Sequence, residues 1–133
     1  MILEVEVILR LLLAVALGAL IGFQRQRAQK PAGMRTLILI SVGSALFTIV
    51  SVYGFSSGAV DPARVAAQIV TGIGFLGAGV ILHGIRGNII MGLTTAASIW
   101  VTAAIGMAAG TGLYLISITT AVIVFFVLLI PSS

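Results

Sequence analysis

Residues 34–54 read Met34-Arg-Thr-Leu-Ile-Leu-Ile-Ser-Val-Gly-Ser-Ala-Leu-Phe-Thr-Ile-Val-Ser-Val-Tyr-Gly54. One charge, Arg35, stands at the start and none follows. At 1.5 Å per residue, about 20 such residues cross the roughly 30 Å of a bilayer's hydrocarbon. The polar side chains fall at Ser41, Ser44, Thr48 and Ser51, in steps of three, four and three. That spacing stacks them on one face of a helix. The stretch therefore reads as a transmembrane helix with one polar side. A barrel strand would instead alternate apolar and polar over about ten residues.

Working outward, four more apolar runs appear, at about residues 5–23, 63–83, 92–109 and 113–130. Hydrophobic residues make up 60% of the 133, charged residues 8%, and the mean hydropathy is +1.28. A soluble domain carries about 25% charged residues. The expected fold class is an all-α integral membrane protein, a compact bundle of about five transmembrane helices forming a single domain over 1–133. The last run ends at Ile130-Pro131-Ser132-Ser133, so no soluble C-terminal domain is expected. The bilayer is the first partner. Seven basic residues and a net charge of +4 fit loop positions better than a nucleic-acid surface.

Charge also sets orientation. The first loop holds Arg25, Arg27 and Lys30, with Arg35 just beyond, and the third holds Arg86. The second and fourth, Phe55–Pro62 and Gly110–Gly112, hold no Lys or Arg. Basic loops stay in the cytoplasm. The N-terminus, with Glu4 and Glu6, is then outside and the C-terminus cytoplasmic. The acidic flank and long apolar stretch make the first run a signal anchor rather than a cleaved signal peptide. With no cysteine there are no disulfides and no thiolate metal sites.

Two other runs carry polar residues at helical spacing: Asp61, Arg64, Gln68 and Thr71 in the third, Thr95, Ser98 and Thr102 in the fourth. In lipid such faces are expected to point into the bundle, as interhelical hydrogen bonds of about 0.6 kcal/mol each or as the lining of a hydrated cavity. Gly18-x3-Gly22 and Gly72-Ile-Gly-Phe-Leu-Gly-Ala-Gly79 suit close helix packing, or in the third helix a break. Gly72, Gly74 and Gly77 match the dinucleotide fingerprint only in letters, since no strand precedes them and no acid follows. Asp61-Pro62 reads as an N-cap followed by a first-turn proline. Arg64 is expected to pair with Asp61 or Glu6. Glu6 and Asp61 are the candidate ligands for a hard cation such as Mg²⁺. His83 reads as a solvated helix end, and Trp100 as packed inside the bundle or at an oligomer interface. No nucleophile–base set appears, so no enzyme is expected.

The ordered motifs Gly18-Ala-Leu-Ile-Gly-Phe-Gln-Arg25, Lys30-Pro-Ala-Gly-Met-Arg-Thr36, Asp61-Pro-Ala-Arg-Val-Ala-Ala-Gln68, Gly72 to Ile81 and Gly92 to Trp100 resemble the MgtC/SapB family over essentially the whole chain. The resemblance implies a bacterial inner-membrane protein of roughly five helices. It implies a link to magnesium homeostasis and to virulence, and a restraint on the proton-driven ATP synthase as membrane partner. From the family pattern it carries over Arg25, Arg35, Asp61, Arg64, Gln68, Thr94, Thr95 and Trp100 as a functional cluster. The chain has Gln24-Arg25 where the family often has Glu-Arg, and is expected to be without the cytoplasmic domain of many members. The expected function is a regulatory, partner-binding membrane protein. The alternative is a small ion channel or transporter, with Mg²⁺ as a candidate ion and a homodimer as the simplest assembly. A structural subunit of a larger complex is a third reading.

Overall fold

The computed structural model of this protein describes residues 2–54, 61, 63–84, 87–89 and 91–131. They form five helices: α1 Glu4–Arg27, α2 Met34–Tyr53, α3 Ala63–His83, α4 Leu93–Gly110 and α5 Tyr114–Val127. The expected runs are met, with α1 running one turn further than its apolar stretch. Gln24 to Arg27 are good helix formers and continue it. The chain then leaves through a Schellman turn. Gln29 N–H donates to Gln26 O at 3.0 Å and Lys30 N–H to Arg25 O at 2.9 Å, with Gln29 left-handed at φ 55°.

Helices α1 to α4 are long and apolar enough to cross a membrane. α5 has 14 residues, about 21 Å of helix. It nevertheless runs beside α1 from end to end: Tyr114 hydroxyl bonds Glu6 and Gln24 Nε2 bonds Leu128 O.

Small residues set the packing. A Cβ added at Gly18 would lie 2.8 Å from Leu37 O, and one at Gly22 would lie 2.5 Å from Met34 Cα. Added at Gly106 and Gly110, it would lie 2.2 Å from Ser41 O and 2.6 Å from Ala45 O. Glycine is thus required for α1 and α4 to approach the α2 backbone, as membrane helices do where van der Waals contact replaces the hydrophobic effect. Ala14, Ala45, Ala103, Ala109 and Ala121 fill the same seam, with Leu17, Ile21, Leu37, Ile99 and Ile105 between. α4 is the hub and touches all four other helices.

The polar faces of α2 and α4 point inward as expected: Ser41, Ser44, Thr48, Ser51, Thr95, Ser98 and Thr102 are all buried. Several bond their own helix rather than a neighbour. Thr48 Oγ1 donates to Ser44 O at 2.7 Å and Ser98 Oγ to Thr94 O at 2.8 Å. A hydroxyl four residues along reaches the carbonyl of its own turn more readily than another helix.

The polar face of α3 corrects the expectation. Arg64, Gln68 and Thr71 are exposed, and only Ile69 and Gly77 of this helix are buried. α3 packs mainly on α4, with Gly77 against Ala96, and more lightly on α2. The helix is unbroken through Gly72–Gly79. Gly72, Gly74 and Gly79 have nothing within 4 Å of an added Cβ, so the close packing expected of this segment is made within the chain by Gly77 alone.

Candidate functional site: two arginines at the ends of α4

The apolar run that becomes α1 hides a charge. Arg10, six residues into the helix, is 8% exposed. Its Nε donates to Glu6 Oε1 at 3.1 Å, one turn back. Its Nη1 donates to Gly110 O at 2.9 Å and to Tyr53 hydroxyl at 3.2 Å, and the guanidinium lies 5.4 Å from the Tyr53 ring centre. Tyr114 hydroxyl bonds the same Glu6 oxygen. Arg10 thus ties α1, α2, the C-terminus of α4 and the start of α5. Glu6 neutralises the charge, and the last carbonyls of α4 are the negative end of that helix. The chain turns into α5 at Gly112, φ +86°, where a Cβ would meet Arg10 Nη2 at 2.7 Å. Glycine is needed there both for the dihedral and for the space.

Arg25 is the counterpart at the other end and is 3% exposed. Its Nε and Nη2 donate to Pro31 O at 3.2 and 2.9 Å, and Nη2 bonds Thr95 Oγ1 in the first turn of α4. Gln26 Oε1 accepts from Met34 N–H at 3.3 Å and holds the same loop to the start of α2. Every described partner of Arg25 is a neutral oxygen. The N-terminus of α4 is that helix's positive end and carries no side-chain cap. Arg10 and Arg25 lie fifteen residues apart on α1, and their α4 contacts, Gly110 and Thr95, are fifteen apart on α4. The two antiparallel helices are pinned in register at two points about 22 Å apart along their length.

The sequence profile of the MgtC family matches residues 11–132. The chain belongs to the MgtC family. It is 53% identical over 129 residues to the "Putative magnesium transporter YhiD" of Escherichia coli (strain K12), covering 92% of this chain and 59% of that protein. It is 45% identical over 117 residues to Protein MgtC of Salmonella typhimurium (strain LT2), covering 88% and 48%. It is 44% identical over 115 residues to Protein SapB of Bacillus subtilis (strain 168), covering 82% and 49%. The chain spans about half the length of the curated relatives it matches. No solved structure matches it.

This MgtC-family chain does not gather the eight residues of the motif pattern into one cluster. Arg25 and Thr95 meet. Arg35 is exposed in the first turn of α2. Thr94 and Trp100 line a groove of about 410 Å³ between α4 and α5, with Val124 and Leu128. Trp100 is 59% exposed, so it is not packed inside the bundle. Asp61, Arg64 and Gln68 lie on the outward side of α3, towards the Arg10 end. Asp61 Oδ1 accepts from Ala63 N–H at 3.0 Å, the N-cap geometry expected; Pro62 lies outside the described residues. Arg64 pairs with neither expected partner: Glu6 is held by Arg10, and no Asp61–Arg64 ion pair forms. His83 is exposed at the end of α3, and Arg86 lies outside the described residues.

The candidate metal ligands do not fit a resident cation. Glu6 is bonded by Arg10 and Tyr114, and Asp61 by its own helix. Among the described residues no three Asp, Glu or His side chains come together. Sequence reading passed over Arg10, Tyr53 and Tyr114. Its one available signal was Arg10 four residues after Glu6, a spacing that places opposite charges together on a helix.

Proposed function

We propose that this chain is a regulatory protein of the bacterial inner membrane that acts in magnesium homeostasis by binding other membrane proteins. The observation that carries the reading is the closure of the α1–α2–α4 seam. Gly18, Gly22, Gly106 and Gly110 bring the helices to backbone contact, and Ser41, Thr48, Thr95 and Thr102 of the polar faces are buried, with Ser44 and Ser98 bordering the grooves on either side. A permeating cation needs a hydrated, polar-lined route. The charge layout supports an orientation with the Arg25 end in the cytoplasm. Arg25, Arg27, Lys30 and Arg35 share that end, while Glu4, Glu6 and Asp61 share the other.

The second reading is a small channel or transporter between two copies, with Mg²⁺ as cargo. The name printed for the E. coli relative favours it. Mg²⁺ entry into proteoliposomes holding a Mg²⁺-sensitive dye separates the two. The regulatory reading expects entry equal to empty vesicles for both the native chain and Asp61→Asn. Protein-dependent entry that Asp61→Asn abolishes would overturn it in favour of transport.

A further inference from the structure

The outward face of α3 carries Asp61, Arg64, Gln68, Gly72, Phe75 and Gly79 in steps of three, four, four, three and four. All six are exposed, Phe75 at 81%. This is one continuous face of a membrane-crossing helix. Its polar half makes no polar side-chain contact with another helix among the described residues. Among the described residues Gln68 and Arg64 make no side-chain hydrogen bond or ion pair, and Asp61 accepts only from Ala63 N–H. Its glycine half is empty space, with nothing within 4 Å of a Cβ at Gly72 or Gly79. Beside it, a groove of about 600 Å³ opens between α2 and α3, lined by Gly43, Phe47, Gln68 and Gly72 among others.

A lipid tail would leave the Gln68 amide unbonded, which is costly in hydrocarbon. The chain itself shows what its membrane glycines are for. Gly18, Gly22, Gly106 and Gly110 each sit where another helix backbone arrives. Gly72 and Gly43 border the groove between α2 and α3, and Gly79 lies further along the same face of α3, where none does. The remaining question is which helix arrives, and the polar pattern answers it. A glutamine amide both donates and accepts, so it satisfies itself against its own copy. Asp61 and Arg64 are opposite charges three residues apart, about 4.5 Å in depth. Around a two-fold axis along the membrane normal, equivalent residues meet at equal depth, and each patch must complement itself.

We propose that this face of α3, with the α2 wall of the groove, is the interface of a two-fold homodimer, in which Gln68 bonds its copy and Asp61 of each chain pairs with Arg64 of the other. The inference stands apart from the regulatory reading, since either a regulator or a channel can be built on it. It is tested in pure lipid with no other protein present, so the two can fail separately.

The native chain has no cysteine, so single cysteines report cleanly. Gln68→Cys and Gly72→Cys, oxidised in liposomes at a high lipid excess, are expected to give covalent dimer. Leu115→Cys, equally lipid-exposed but on α5, is expected to give none beyond random collision. A Cβ at Gly72 meets nothing in its own chain and the side chain opens onto a groove, so in Gly72→Leu the fold, followed by circular dichroism, stands while dimer affinity falls roughly tenfold. Arg64→Asp weakens the dimer, and adding Asp61→Arg to it restores pairing with the charges exchanged. A chain monomeric at every lipid ratio would overturn the proposal and leave acyl chains or a different helix as occupant. So would equal cross-linking at Leu115→Cys, or a Gly72→Leu dimer as tight as the native one.

Discussion

The two buried arginines of α1 do the same geometric job with opposite electrostatics. Arg10 meets the negative end of α4 and has a carboxylate, a carbonyl and a phenol around it. Arg25 meets the positive end and has only Pro31 O and Thr95 Oγ1. A buried ion pair is costly to break by halves, because the partner left behind stays charged. A buried charge without a counter-ion is a cost that its position must justify by something other than stability. The Arg10 end is a fastening. The Arg25 end, next to the exposed Arg27, Lys30 and Arg35, keeps positive charge that the fold does not neutralise.

The sharpest way to break this contrast is to replace each arginine by methionine, similar in length and apolar. Arg10→Met leaves Glu6 unpaired and is expected to lower stability by about 3 kcal/mol. Arg25→Met removes an uncompensated charge and is expected to stay within about 1 kcal/mol of the native chain while abolishing function in a magnesium-limited growth assay. Denaturant titration of both in the same micelles checks this, and the reverse order would end the comparison. Next in size is Gly112→Ala, expected to cost about 2 kcal/mol because it strains a positive φ and presses on Arg10. Tyr53→Phe removes one hydroxyl from Arg10 and is expected to cost about 1 kcal/mol, with the loss absent in an Arg10→Met background. The smallest effect is at the other end. Gln29→Gly, at the left-handed residue of the α1 turn, is expected to stabilise by about 0.5 kcal/mol, seen as a higher melting temperature.

Much of this was legible in the residues. The five helices follow from uninterrupted apolar length, and the Gly18/Gly22 contact from spacing. Period alone places residues on a common face but does not say which side the bundle lies. For α2 and α4, surrounded by neighbours, inward was right. For α3, which buries fully only Ile69 and Gly77, the same rule pointed the wrong way. Arg10 escaped notice because run-counting averages one charge into an apolar segment. The contact between Arg25 and Thr95, seventy residues apart, depends on which helices pair, and no local pattern encodes that. Trp100, mid-run and away from the interfacial belt, reads as packed inside the bundle or at an oligomer interface; its exposure rules out the first, because small residues occupy the seam.

The matched spacing of Arg10–Gly110 and Arg25–Thr95 has a mechanical consequence. Two anchor points at opposite ends remove both axial sliding and rotation of α1 against α4, since a slip of one turn would undo both at once. Backbone contact at Gly106 and Gly110 removes the same freedoms for α2. α3 packs on α4 and more lightly on α2, and neither arginine grips it. A shift of α3 against the rest would leave both arginine anchors in place, whereas a shift of α1 against α4 would break them together.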